Sequence, residues 1–143
     1  MARKPRIREV NLPHHIICRS IQEVDLFQDE FDKEAYMKLI KKASTKHKIK
    51  ILAYFLMSNH VHLMVHPSGG DISNFLRDIN SVYARTFNKK HKRRGALFSE
   101  RFKNVIIKTE GQLLRTSTYI HSNVKDLIYL GFKSLASYPY SSL

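Results

Sequence analysis

Apolar and polar positions divide this chain into short blocks of two kinds. Residues 15–19 read as a brief strand. A helix follows in which Phe31, Ala35, Leu39 and Ala43 recur at helical spacing, with Asp29 or Asp32 available to cap it. The period then changes. Residues 51–57 and 61–66 are two β-rich runs separated by Ser58-Asn59, which suits a tight turn, so they form an antiparallel hairpin. Pro67-Ser68-Gly69-Gly70 breaks the second run. Ile72, Phe75, Leu76, Ile79, Val82, Tyr83 and Phe87 then trace the clearest amphipathic helix of the chain, begun by Asp71 or Ser73. A basic loop over residues 89–95 leads through Leu97-Phe98 to a strand around residues 105–107. Thr109 and Gln112 have the spacing of a capping box and open a last helix running to about Asn123. No internal repeat, low-complexity segment or linker interrupts this order. It is an α+β arrangement, expected to build one antiparallel sheet with helices packed on it.

Composition narrows the partners. The 143 residues are 43% hydrophobic and 26% charged, ordinary for a folded domain long enough to close a core. Against 12 Asp and Glu stand 25 Lys and Arg, a net charge of +13. A folded surface with that excess is the footprint of a protein that neutralises phosphates, so nucleic acid is the leading partner; a basic surface serving solubility or an anionic membrane is the bland alternative. The lone Cys18 allows no internal disulfide and no thiolate cluster for zinc, which suits a reducing compartment. The basic start Met-Ala-Arg-Lys-Pro-Arg is followed by no apolar run of signal-peptide or membrane-spanning length. A cytoplasmic, nucleoid-associated protein with no membrane partner is expected, divided into a flexible basic arm over residues 1–14 and a domain over residues 15–143.

Two features carry chemistry. In a strand, residues two apart share a face, so His60 and His62 project one way while Val61, Leu63 and Val65 project to the core. Two adjacent imidazoles can converge on one ion such as manganese, zinc or iron. They can equally be the polar face of a half-buried strand, with His66 a spectator further along it. In the last helix, Leu113, Leu114, Ile120 and Val124 gather on one side, while Tyr119 falls toward the polar face with Asn123 one turn above it. A tyrosine so placed either covers the sheet edge with its hydroxyl in water or does chemistry. Two imidazoles, an amide oxygen and a phenol together suit phosphodiester cleavage. A cation draws charge from a non-bridging oxygen, and the phenol attacks phosphorus. The phosphotyrosyl ester conserves the bond energy, so a free hydroxyl can rejoin the strand without ATP, in keeping with the lack of a nucleotide-binding glycine loop.

These residues also match a known pattern. Met57-Ser58-Asn59-His60-Val61-His62-Leu63-Met64-Val65 resembles the strand motif of the HUH single-strand nucleases, in which two histidines flank a hydrophobic residue. Residues 80–88, the Gly95-Ala96-Leu97-Phe98 turn and Arg101-Phe102-Lys103 resemble the middle of that superfamily's single-tyrosine transposases, especially the REP-associated group. Tyr119-Ile120-His121-Ser122-Asn123 is similar to the group's catalytic helix, and Tyr138-Pro139-Tyr140-Ser141-Ser142 to its C-terminal signature. The likeness runs from about His15 onward. It implies a ferredoxin-like core, Mg²⁺ or Mn²⁺ held by His60 and His62, Tyr119 as nucleophile, and Asn123 as a further ligand or metal-orienting group. It also implies hairpin DNA as substrate and a 5′-phosphotyrosine with a free 3′-hydroxyl as intermediate. One departure is Val124, where a proline commonly follows the asparagine.

Binding to single-stranded or hairpin DNA is expected from Arg3, Lys4 and Arg6 in the arm, from Lys89, Lys90, Lys92, Arg93 and Arg94, and from Arg101 and Lys103. Basic groups track phosphates while aromatic faces such as Phe98 and Phe102 accept bases or fill the core. Two rivals remain at this stage: an inactive hairpin-DNA-binding regulator of the same fold, and a metal-dependent phosphodiester hydrolase in which water attacks. Monomer and homodimer are both open.

Overall fold

Alternating apolar residues need a partner strand on each edge and a cover on each face, and the chain meets both needs by threading one strand between two others. The computed structural model describes residues 10–21, 24–99 and 102–121. Their order is β1 (His14–Arg19), α1 (Glu30–His47), β2 (Lys50–Leu56), β3 (His60–His66), α2 (Ile72–Lys90), β4 (Lys103–Ile106) and α3 (Glu110–His121). The sheet order is β2-β3-β1-β4, with every neighbouring pair antiparallel. This is the ferredoxin-like βαββαβ arrangement with a helix added, so the expected α+β class and sheet hold. The hairpin predicted around Ser58-Asn59 is β2–β3, and α1 is the crossover that lets β1 pair with β3 from the other side. No described helix is long and apolar enough to cross a membrane.

The registers sort the side chains into two faces. On one lie Ile16, Cys18, Leu56, Val61, Leu63 and Val65, all buried. α1 and α2 cover this face: the Asn80 amide of α2 reaches Cys18 Sγ at 3.4 Å, and the Tyr83 hydroxyl donates to the Leu26 carbonyl. On the other lie Ala53, Phe55, His62 and Met64, which are also buried. α3 leaves the β4 edge and lies against β2 at the opposite edge, so it crosses the sheet on this second face.

The α1 stripe differs from the expected one. Asp32, Tyr36, Ile40 and Ala43 are buried, whereas Phe31 is 76% exposed and Ala35 and Leu39 only flank the core. The rotation follows from a buried carboxylate that a hydrophobic pattern cannot register. Asp29 caps α1 by accepting from the Asp32 N–H at 2.9 Å, and Asp32 accepts from Lys90 Nζ and pairs with the His91 ring, each at 2.9 Å. Phe31 is left outside, beneath Lys90 Nζ at 5.7 Å. Lys89 and Lys90 accordingly belong to the last turn of α2, not to a loop. Similar contacts secure the rest of the α1–α2 pair. Tyr36 donates to Asn80 Oδ1 at 2.9 Å, and Lys46 and His47 pair with Asp78 at 2.7 and 2.8 Å. Gly70 serves this packing, because a Cβ there would lie 2.6 Å from the His47 carbonyl oxygen.

Asp71 caps α2 through the Asn74 N–H at 3.1 Å. The expected capping box at α3 forms on one side, with Thr109 Oγ1 accepting from the Gln112 N–H at 3.1 Å; the Gln112 side chain reaches the Lys108 N–H at 2.9 Å. Within α3, Ile120 is buried and Leu113 partly so, but Leu114 is 68% exposed and does not join them. The backbone from residue 10 to 13 is tied down, since Val10 accepts from the Gly69 N–H and Pro13 from the Ile107 N–H.

Two predictions follow from the α1–α2 contacts. Replacing Asp32, whose side chain is 4% exposed, by alanine removes the partner of His91 and the acceptor of the Gln28 N–H while Lys90 keeps Asp29, and should cost about 2 kcal/mol, read from urea unfolding; a loss below about 1 kcal/mol would contradict the buried network. Hydrogen bonds from Lys46 and His47 hold the Asp78 carboxyl down to about 2, against an ordinary 3.8. Its contribution is therefore complete above pH 3.8 and lost as pH falls toward 2. Asp78→Asn should flatten the stability profile across that window, with the difference shrinking in high salt because the pair is exposed.

Candidate active site

β3 is the inner strand that carries the motif, so its side chains have the least freedom in the sheet. His62 stands opposite Ile17 of β1 and Phe55 of β2, and His60 opposite Arg19. The alternation places His60 and His62 on one face as expected, but that face is covered: His62 is 1% exposed and His60 half-buried. Their rings are 4.8 Å apart between centroids and nearly perpendicular at 81°.

Each ring is held from its Nδ1 side. Asn59 Oδ1 lies 2.6 Å from His60 Nδ1, and since a carbonyl oxygen only accepts, His60 donates from Nδ1, the arrangement that leaves the lone pair of a neutral ring on Nε2. His62 Nδ1 lies 3.1 Å from Nε2 of His15, a β1 residue on the same face. Burial, reinforced by His60, His15 and Arg19 nearby, pushes His62 down to about 3, and burial lowers His15 as well. Both are therefore neutral at neutral pH, the form in which imidazole binds a cation. His66, the candidate spectator, is occupied at the strand end with Ser68 at 3.0 Å.

This donor set suits part of a Mg²⁺ or Mn²⁺ shell. Two imidazoles on a rigid strand can supply two nitrogen ligands, and an octahedral cation takes the remainder as oxygens. Among the described residues no group of three or more His, Cys, Asp or Glu is placed to hold an ion. Asn123, the expected further ligand, lies outside the described residues, as do Arg3, Lys4, Arg6 and Arg101.

Tyr119 lies in the last turn of α3, the helix that crosses the histidine face, next to buried Ile120. Two described tyrosines have their hydroxyls fixed within the core. Tyr36 and Tyr83 are buried beneath the opposite face, each donates its hydroxyl to a fixed acceptor, and burial raises the pKa of both phenols.

The expected DNA-contacting residues divide by what holds them. Lys103 is exposed and shares a row with Ile17 and His62, on the histidine face. Lys89, Lys92 and Arg94 are exposed at the end of α2 and in the loop after it. Lys90 is engaged with Asp29 and Asp32, and the Arg93 guanidinium bonds Asn88 and the Ala96 carbonyl at 3.0 and 2.7 Å, so both brace the scaffold. Phe98 and Phe102 pack against the core. The loop comes back to the site: Leu97 accepts from the Ile21 N–H, Ser99 donates to the Arg19 carbonyl, and Phe98 bridges Ser20. Its end therefore lies beside Arg19, across from His60. Sequence reasoning missed His15 and Arg19. The alternation His15, Ile17, Arg19 could place them on one face, but only the register with β3 says which face.

The comparisons with known proteins agree with this geometry. No curated protein matches the chain. Among solved structures, a REP-associated tyrosine transposase bound to a REP hairpin superposes with a TM-score of 0.79 at 16% identity, covering 100% of this chain and 83% of that one. A protein described as a transposase from Deinococcus radiodurans gives a TM-score of 0.56 at 17% identity, covering 85% of this chain and 97% of that one. At these identities the two likenesses establish the fold. The family described as "Transposase IS200 like" matches residues 9–123, a span that includes both histidines, Tyr119 and Asn123. The chain belongs to the IS200-like transposase family.

Proposed function

We propose that this chain cleaves and rejoins single-stranded or hairpin DNA through a 5′-phosphotyrosine at Tyr119, with Mg²⁺ or Mn²⁺ held by His60, His62 and Asn123. The observation that carries the reading is the pairing of elements: the strand holding both histidines on one face is crossed, on that face, by the helix that carries Tyr119.

His60 and His62 fix the place where the scissile phosphate is gripped. When bound there, the cation supplies charge neutralisation at a non-bridging oxygen. Tyr119 gives up its phenolic proton and attacks phosphorus; the new O–P bond replaces the bond to the 3′-oxygen, which leaves as a hydroxyl after taking a proton. A second 3′-hydroxyl can reverse the step, restoring the phosphodiester and the phenol. Arg19 and Lys103 edge the same face and are suited to the flanking phosphates, while Lys89, Lys92 and Arg94 extend the basic surface from the end of α2. The solved structure bound to a REP hairpin supports a hairpin as the DNA shape.

Incubation with labelled hairpin DNA and Mn²⁺ should give a DNA adduct on Tyr119, detected by denaturing gel and peptide mass spectrometry and lost in Tyr119→Phe. Tight binding without cleavage would indicate a regulator, and cleavage without an adduct a hydrolase. His60→Ala should lower the cleavage rate by at least ~10²-fold, as expected for removing a ligand of a charge-stabilising ion, while hairpin affinity stays within a few-fold. Binding should weaken steeply with salt, and Lys92→Ala or Arg94→Ala should each reduce the log–log salt slope by up to about one; a flat wild-type salt response would defeat the electrostatic assignment.

A further inference from the structure

The two motif histidines receive equivalent support from different residues. For His60 the partner is its neighbour Asn59, which can only accept through Oδ1. For His62 it is His15, on a separate strand, with the nitrogens 3.1 Å apart, ring planes within 20° and centroids 5.3 Å apart. That combination is an edge-to-edge contact in which the His62 Nδ1 to His15 Nε2 line runs close to both ring planes. One proton lies between the two nitrogens, and its position decides what His62 can do. If His15 donates, neutral His62 carries its hydrogen on Nε2 and cannot ligate from that atom. If His62 donates from Nδ1, its Nε2 keeps the lone pair, matching His60.

We infer that His15 is a positioning residue for the cation site: its Nε2 accepts from His62 Nδ1–H, which fixes the tautomer and rotamer of His62 so that Nε2 is directed to the ion. The inference rests on the His60–His62 seat proposed above. It also accounts for a histidine on β1 at this point. His15 sits opposite Met64 and diagonal to His62, where an apolar side chain would fill the space but could not accept from His62 Nδ1–H.

The test uses Mn²⁺ alone, followed by electron paramagnetic resonance and calorimetry on the full chain without DNA, so that cleavage is not the readout. His15→Phe removes the acceptor and should weaken Mn²⁺ binding by about 10-fold or more, the scale found for removing outer-shell partners of histidine ligands. His15→Gln keeps an acceptor oxygen and should restore most of that affinity. Both variants should retain wild-type affinity for hairpin DNA. Nitrogen-15 correlation spectra of the metal-free wild type supply a measurement that depends on no variant, and should show His62 protonated at Nδ1. Wild-type Mn²⁺ affinity in a folded His15→Phe, or a wild-type His62 protonated at Nε2, would overturn the inference. Its failure is distinguishable from failure of the seat. If Mn²⁺ binds and His60→Ala and His62→Ala abolish binding while His15→Phe does not, only the role of His15 falls; if the wild type binds no Mn²⁺, seat and inference fall together.

Discussion

β3 is hydrogen-bonded along both edges, to β1 on one side and β2 on the other, and that double pairing determines where everything else must go. A strand paired twice has little freedom to twist or slip, and a slip of one residue would exchange its faces. Val61, Leu63 and Val65 are then committed to one layer, and His60 and His62 to the other. With both sides of β3 buried, a helical layer is needed on each. α1 and α2 supply the first, joined by their own polar contacts, and α3 crosses the second. The helix that carries Tyr119 thus crosses the histidine face because the sheet needs covering there, and on the proposed reading the chemistry makes use of a layer that packing already demands.

The charged residues divide between two tasks. Lys90 and His91 are turned inward onto Asp29 and Asp32, and Arg93 onto Asn88 and a loop carbonyl. These contacts fix the exit of α2, and so direct the segment that reaches Leu97 and Ser99 beside Arg19. A basic run that counts as one electrostatic block in the sequence is therefore two things in the fold: a brace made of Lys90 and Arg93, and an exposed set made of Lys89, Lys92 and Arg94.

Much of this was legible in the residues. Alternation in β3 placed the two histidines together, turn chemistry at Ser58-Asn59 placed the hairpin, and the strong stripe of α2 held at Phe75, Leu76, Ile79, Tyr83 and Phe87, all buried, with Ile72 and Val82 half-buried. The stripe of α1 did not survive, for a definite reason. Its innermost position near the start is Asp32, stable there only because Lys90 and His91, far along the chain, arrive to pair with it. Hydrophobic periodicity reads residues one at a time and has no means of valuing a buried ion pair made between two helices. His15 escaped notice for a similar reason. Its meaning depends on a strand register spanning 47 residues, and the local pattern offers only a histidine at the start of a short strand. The burial of His62 was likewise hidden, since alternation tells which residues share a face but not whether that face is later covered.

The lowered pKa of His62 bears on how such a site could work in a strongly basic protein. Long-range attraction of DNA needs charge in solvent, where it acts at a distance and weakens with salt. Gripping a cation needs the opposite: imidazoles whose lone pairs are not occupied by protons, which burial favours. His62 meets that second requirement through burial first and through His60, His15 and Arg19 after it. On the proposed reading the two tasks therefore fall to different groups, encounter to the exposed Lys and Arg side chains and the cation to imidazoles set into the sheet. The buried phenols of Tyr36 and Tyr83 mark the contrasting case, in which burial and a fixed acceptor hold the proton on oxygen. On the proposed reading the attacking tyrosine is instead carried by α3, the described helix that crosses the histidine face.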